Sequence, residues 1–295
     1  MKKYFYKGLA VVNAYANYQK VTQQVSILQQ KFCELGVQLE KTDTATLSSK
    51  VSGGNLSCNQ TDVDFVLYLD KDKHTAYLLE QMGFRLFNNA KSIEVCDDKM
   101  LTHLYLANQQ IPMPTTMHAP LCYTPNAYNP TVLDNAEKTL GFPMVVKECF
   151  GSFGKQVYLA QERGELETLH KTLLGKPHLF QQFIEYSKGK DVRLIVIGGK
   201  VVCAMERQSQ TDFRANVELG ATGVAYLPDR NYIELAEKVA TILNLDYCGV
   251  DLLHSKDGPL VCEVNSNAFF NEISKVCQID VAKLLAQHIY QKVYK

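Results

Sequence analysis

No apolar run in the sequence approaches the ~20 residues that span a bilayer, and the apolar stretch near the N-terminus is too short for a secretory signal. These absences lead us to expect a cytoplasmic protein. Charge of either sign is not in excess: 31 Lys and Arg face 31 Asp and Glu. No basic surplus is available to neutralise a nucleic-acid backbone, so nucleic acids are not expected partners, and small molecules or another protein are. Cysteine pairs at redox or metal spacing are missing too. Nine cysteines are scattered from Cys33 to Cys277 without one C-x-x-C, which reads as reduced, buried thiols. The seven histidines are equally dispersed and no H-E-x-x-H occurs, so neither zinc chemistry nor a Cys–His nucleophile is expected.

What is present suffices for a large core: 295 residues with 46% hydrophobic content support one big domain or two to three smaller ones. Residues 8–13 read as a short strand and Val21–Leu35 as a helix with apolar residues at Val21, Val25, Leu28, Phe32 and Leu35. A second strand is expected at Val37–Lys41, a polar Gly-rich connection over 48–58, a third strand at Asp64–Leu69, a helix over His74–Met82 and a fourth strand at Phe84–Asn88. Strands alternating with helices predict a parallel α/β sheet with Rossmann-like winding. The dinucleotide fingerprint G-x-G-x-x-G is absent after the first strand, where residues 13–17 read NAYAN, so a nicotinamide cofactor is not expected and this region is assigned to shaping a substrate site. A further helix is predicted over residues 98–109, capped by Asp97 and stopped by Pro112 and Pro114. Beyond it, paired strands with Gly-rich turns suit an α+β domain.

Three segments carry chemistry. Residues 141–147 (GFPMVVK) lead through Glu148 and Cys149 into Gly151-Ser152-Phe153-Gly154-Lys155, followed by an alternating strand. A Walker loop needs different spacing and a following helix. Glycines without side chains nonetheless let backbone N–H groups approach phosphate oxygens, with Lys147 as a nearby point charge. Next, Asp191 and Arg193 share one face of a strand, Arg207 closes its hairpin partner, and Arg214 follows in the DFRAN segment (212–216). The planar fork of arginine suits carboxylate and phosphate oxygens, which makes Arg207 and Arg214 the candidates for holding an acyl-phosphate or a substrate carboxylate. Finally, two apolar strands flank Lys256-Asp257-Gly258. If these three form the loop with Gly258 left-handed, Asp251 pairs with Glu263, and period two puts Asn265 on the same face. Two such carboxylates repel unless a cation lies between them, and an all-oxygen donor set selects Mg²⁺ or Mn²⁺.

Taken in order, Asp98-Lys99, Gly141–Lys147, Gly151–Gly154, Asp191–Arg193, Arg207, Asp212–Asn216 and Gly249–Asp251 with Glu263–Asn265 resemble the RimK-type branch of the ATP-grasp superfamily over nearly the whole chain. The resemblance implies an ATP-grasp fold of mixed α/β and α+β class. Its domains are an N-terminal Rossmann-like substrate domain (1–94), a central subdomain with the glycine loop (95–185) and a C-terminal subdomain with the metal site (186–295). It implies that Lys99 and Lys147 contact nucleotide phosphates, that Gly151, Ser152 and Gly154 cover them, and that Gln182, Phe183 and Asp191 surround adenine and ribose. Arg214 and Asn216 then lie by the phosphates, and Asp251, Glu263 and Asn265 hold magnesium. The implied activity is an ATP-dependent carboxylate–amine ligase adding an amino acid such as glutamate to a protein, peptide or cofactor amine, in a homodimer or tetramer. A small-molecule dipeptide or carrier-protein ligase and a non-catalytic ATP-binding regulator are the alternatives. The chain departs from the family pattern at Gln182, where an acidic residue is usual, and over Ser266–Phe270.

Overall fold

The computed structural model describes residues 6–16, 19–60, 62–124 and 127–295. Residues 1–5 of the N-terminal stretch, Asn17 of the NAYAN segment and residues 125–126 of the expected loop lie outside that set. Among the described residues three main sheets follow one another along the chain, with a separate two-stranded hairpin inserted in the first region. The first takes β1 (Tyr6–Val12), α1 (Gln19–Glu34), β2 (Val37–Asp43), the hairpin β3 (Lys50–Ser52) with β4 (Asn55–Ser57), β5 (Phe65–Leu69), α2 (Lys73–Gln81) and β6 (Leu86–Phe87). Its strands run parallel in the order β2-β1-β5-β6. Every residue of β5 is buried, as expected of a parallel strand covered on both faces. Residues 48–58, expected as a plain connection, instead fold back on themselves around Gly53-Gly54 and pair Lys50 with Ser57.

The predicted helix over 98–109 is corrected. The helix there is α4 (Lys99–Leu106), shorter than expected and capped one residue later, and it is preceded by α3 (Ala90–Asp97), which the sequence reading did not anticipate. Asp97 ends α3, and Asp98, extended at φ −93 and ψ 108, caps α4 by accepting from Met100 and Leu101 N–H. Adjacent aspartates offer the same capping chemistry; the bond from Lys99 N–H to the Cys149 carbonyl, 3.0 Å, decides between them by fixing where the chain turns.

The second sheet is antiparallel and built from β7 (Thr116–His118), α5 (Pro130–Leu140), β8 (Met144–Glu148), β9 (Val157–Ala160), α6 (Arg163–Leu173) and β10 (His178–Gln182), with strand order β7-β10-β8-β9. Leu133, Met144, Val146, Leu166 and Phe180 form a core of its own. The third sheet joins β11 (Lys190–Ile197), β12 (Lys200–Gln208), β13 (Thr222–Ala225), β14 (Tyr247–Leu253) and β15 (Leu260–Asn265) in the order β13-β12-β11-β14-β15, also antiparallel. Helix α7 (Arg230–Ile242) covers one face, and α8 (Asn271–Cys277) and α9 (Val281–Tyr294) follow β15. The core that holds α1 and the first sheet continues without a break through Leu285 and Ile289 of α9 to Ile195 and Met205 of the third sheet. Asn88, 3% exposed, reinforces that junction. Its amide donates to the carbonyls of Tyr247 (2.7 Å) and Ser266 (2.8 Å) and accepts from Asp246 N–H (2.7 Å). Among the described residues no helix is long and apolar enough to cross a membrane.

One buried polar pair under the second sheet makes stability depend on pH. His178 donates Nδ1–H to the Lys176 carbonyl (2.8 Å), and its Nε2 lies 3.0 Å from His170 Nδ1, a contact that takes a single shared proton and so cannot hold both rings charged. Burial lowers both pKa values, that of His170 to about 4 with His178 adding to it. The unfolded chain takes up protons near the ordinary histidine pKa while the folded one does not, so stability is present at neutral pH and is lost as pH falls toward 4. Thermal midpoints should therefore drop between pH 7 and pH 5, and His170→Phe should flatten that slope; an unchanged slope in the variant would refute the assignment.

Candidate active site between the sheets

The floor of the site is a row of charges laid down by strand register. Asp191 and Arg193, two apart on β11, point to one side of the sheet. Arg207 on β12 lies opposite Asp191, Asp251 on β14 opposite Arg193, and Glu263 on β15 opposite Asp251. Arg207 grips Asp191 with Nε at 2.6 Å and a terminal nitrogen at 2.5 Å, and Arg193 grips Asp251 with both bonds at 2.7 Å. A diagonal contact of 3.0 Å from Arg207 to Asp251 joins the two pairs. All of this is nearly dry: Arg207 is 2% and Asp251 3% exposed. Burial opposes the charge on Asp251, but the Arg193 and Arg207 guanidiniums outweigh it and hold its carboxyl below the usual range.

The expected pairing of Asp251 with Glu263 forms, by a different route. The ladder begins at Leu253 with Leu260, leaving 254–259 outside it rather than a three-residue loop, and a bulge at Cys262 shifts the register back so that Asp251 meets Glu263 and Gly249 meets Asn265. The inference that the two carboxylates need a cation between them is also corrected: Asp251 is already neutralised by two arginines, and Glu263 lies 3.8 Å from Lys99 Nζ. Among the described residues no three His, Cys, Asp or Glu side chains gather as a metal cluster. The triplet is two carboxylates and an amide. It still fits a hard divalent ion, because carboxylate oxygens keep lone pairs beyond those given to arginine and Glu263 is the less buried member, with its side chain 26% exposed. The Asn265 amide nitrogen is buried with no acceptor; as a donor it takes no part in holding a cation, so the carboxamide would contribute through its oxygen.

Above the floor hangs the glycine loop. Gly154, at φ +71, lies so close to Asn216 that a Cβ would come within 2.4 Å of its Oδ1; only glycine meets both demands. Arg214 is held by Asp212 (2.7 and 2.9 Å) and donates to the carbonyls of Gly154 (2.7 Å) and Val157 (3.1 Å), so it fastens the loop down. At its other end Lys99 Nζ donates to Gly151 O at 3.3 Å, and Ser152 N–H bonds the Gln156 side chain at 3.2 Å. Lys147, 7% exposed, faces Cys262 Sγ at 3.6 Å.

Two cavities meet here. A narrow one of about 90 Å³ runs between the second and third sheets and brings together Lys147, Gly154, Gln182, Phe183, Asp191, Arg214 and Asp251. A wider one of about 700 Å³ opens toward the first sheet and is lined by Ser152, Asn265 and Arg193, with Asn13, Asp70 and Lys155 from outside the sequence-derived set. Arg207, Asn216 and Glu263 line both. Lys99 and Gly151 line neither and reach the site through their bond to each other and through Glu263. Gln182 accepts from Thr115 N–H at 3.3 Å and returns its own N–H to the Thr115 carbonyl. Sequence reasoning placed Arg193 on the right face without giving it a role. It missed Asp70, whose position just past a parallel strand was the available signal.

Removing Arg207 leaves Asp191 and part of the Asp251 charge buried without compensation. We expect Arg207→Met to lose about 3–5 kcal/mol in denaturant unfolding, with Arg207→Lys recovering little because an ammonium has no planar fork. A loss inside the ~0–1 kcal/mol typical of exposed pairs would contradict the structural role drawn here.

Comparison with known proteins places this geometry in a family. Residues 96–289 match the RimK-like ATP-grasp domain. Human beta-citrylglutamate synthase B is 40% identical over 223 residues, 74% of this chain and 56% of that protein, so the chain spans about half the length of this relative. A probable alpha-L-glutamate ligase of Xanthomonas euvesicatoria pv. vesicatoria is 38% identical over 221 residues, 73% of this chain and 72% of that one. The crystal structure of a RimK domain ATP-grasp protein from Sphaerobacter thermophilus superposes with a TM-score of 0.72 at 23% identity, covering 96% of this chain and 98% of the other. With the parallel first sheet, the two antiparallel sheets and the site between them, the chain belongs to the RimK-like ATP-grasp family.

Proposed function

We propose that the protein is an ATP-dependent ligase that joins a carboxylate to an amine through an acyl-phosphate. The observation that carries this reading is the meeting of the two cavities at Arg207, Asn216 and Glu263. A phosphoryl group passed from a nucleotide in the narrow cavity to a carboxylate in the wide one would cross at those side chains. On this reading Gln182 and Phe183 take the adenine end, and Lys147, Lys99 and the 151–154 loop take the phosphates. Asp251, Glu263 and Asn265 would hold Mg²⁺ or Mn²⁺, which supplies charge neutralisation at the phosphate oxygens. Residues 1–94 serve as the substrate domain, and 95–185 and 186–295 as the halves that grasp the nucleotide.

In the first step a carboxylate oxygen attacks the γ-phosphorus, the bond to the β–γ bridging oxygen breaks and ADP leaves. In the second, the amine nitrogen attacks the acyl carbon, inorganic phosphate leaves and the nitrogen sheds its proton. No side-chain nucleophile is required; positioning and charge stabilisation supply the rate. As the floor stands, the Arg207 guanidinium is committed to two aspartates, so its contribution to a developing oxyanion is a fixed field rather than a mobile donor. Arg214 acts by holding the loop over the phosphates, where it keeps out the water that would hydrolyse the intermediate. Glutamate is the proposed amino-acid substrate, since the named relatives include a beta-citrylglutamate synthase and a probable alpha-L-glutamate ligase.

The test is ADP release from MgATP across pairs of carboxylates and amino acids. Release that requires both partners supports the ligase, whereas nucleotide binding without turnover for every pair would favour a non-catalytic regulator. Glu263→Gln should cost on the order of 2–4 kcal/mol of transition-state stabilisation, read from kcat/KM, and a variant with unchanged turnover would remove Glu263 from the assigned role.

A further inference from the structure

The wide cavity makes one electrostatic demand that the nucleotide does not answer. In the sheet order β2-β1-β5-β6, the chain leaves β1 to one side for β2 and comes back on the other side as β5. The carboxyl ends of β1 and β5 therefore flank the switch point at which open parallel sheets receive ligands. Asn13 and Asp70 stand just past those two ends, and both line the cavity. Asp70 is 6% exposed. Its oxygens accept from Asn13 Nδ2, each at 3.1 Å, and one accepts from Lys71 N–H at 2.6 Å.

Among the described residues Asp70 makes no ion pair. Four cations that line this cavity pair with other carboxylates: Lys71 Nζ with Asp97 at 3.0 Å, Lys20 Nζ with Glu218 at 3.0 Å, Arg193 with Asp251 and Arg207 with Asp191. Buried carboxylates are as a rule paired, and burial holds the Asp70 carboxyl above its usual range. Asn267 and Asn271 line the same cavity, and the Oδ1 atom of each is buried with no donor. Asp70 has neutral donors but no cation, and the two asparagine oxygens have no donor at all. An ammonium group carries three donors, a full positive charge and no acceptor.

We infer that Asp70 binds the α-ammonium group of the amino-acid substrate and so positions its nitrogen, which attacks the activated carboxylate once the ammonium has given one proton to solvent water. The inference rests on the ligase reading above and names the subsite for its second substrate. The experiment compares L-glutamate with glutarate, the same dicarboxylate without the amine, by titration calorimetry in the presence of magnesium and the non-hydrolysable imido analogue of ATP. Wild type should prefer glutamate by ~10-fold or more, as for one charged hydrogen bond. Asp70→Asn should erase that preference, and Asp70→Glu, which keeps the charge, should restore part of it. A preference that survives in Asp70→Asn overturns the assignment, as does a wild-type protein that binds both ligands equally or neither. A merely structural role for Asp70 would weaken both ligands together. The underlying ligase reading is checked separately with wild type alone: hydroxylamine, uncharged at neutral pH, should trap the acyl-phosphate of citrate, N-acetylaspartate or glutamate as a hydroxamate. Failure there with every carboxylate counts against the ligase itself rather than against Asp70.

Discussion

The site depends on two aspartates and two arginines locked together in a dry sheet. Asp191, Arg193, Arg207 and Asp251 come from three neighbouring strands, and their bonds of 2.5 to 3.0 Å leave no net charge among the four. Such a group is costly to bury and only its mutual satisfaction makes it tolerable. In exchange it fixes the strand register and the direction in which each carboxylate faces. Glu263 and Asn265 on β15 inherit their positions from it through the pairs with Asp251 and Gly249. Polar groups so constrained do not reorient when charge develops nearby, which is the condition for electrostatic stabilisation of phosphoryl transfer.

How far the sequence could be read is clearest at particular residues. Alternating strand-like and helix-like segments revealed the parallel first sheet because period and length agree there, as in β5, whose five buried residues are followed by α2 with Asp72 as its cap. The glycine loop was legible because Gly151 and Gly154 must be glycines, one of them pressed against Asn216. Asp251 and Glu263 were correctly paired although the turn between them was not correctly drawn: the bulge at Cys262 cancels the error in loop length. Nothing local announces a bulge of that kind. The cap of α4 was misplaced by one residue for a similar reason, since Asp97 and Asp98 have equal capping ability and the bond that fixes the turn runs to the Cys149 carbonyl, about fifty positions away. The partners of Asp251 were invisible to any argument that considered its own hairpin alone, because Arg193 and Arg207 arrive from other strands.

The two cavities differ in character in a way that follows from these origins. The narrow one lies between two antiparallel sheets whose facing residues are set by ladder register, and its walls are committed to one another, as with Arg214 to the loop carbonyls and Gln182 to Thr115. The wide one is bounded by the first sheet, by α1 and by the segment after β15, and several of its polar atoms have no partner. The side that would meet nucleotide is thus shaped by strand pairing, and the side that would meet substrate by loops, where change is best tolerated.

The Asn88 junction has a mechanical meaning. A side chain that spans Asp246, Tyr247 and Ser266 from the end of the first sheet, over a core continuous with the third, leaves those two sheets no easy way to slide past each other. The second sheet has its core to itself. Seen as a machine, the molecule is a two-part vice: one massive jaw of two sheets welded at Asn88, and one light jaw held across the gap by Arg214 and Lys99. Parting the jaws at the glycine loop means breaking the bonds of those two cations, while the cavity wall at Asn13 and Asp70 belongs to the massive jaw.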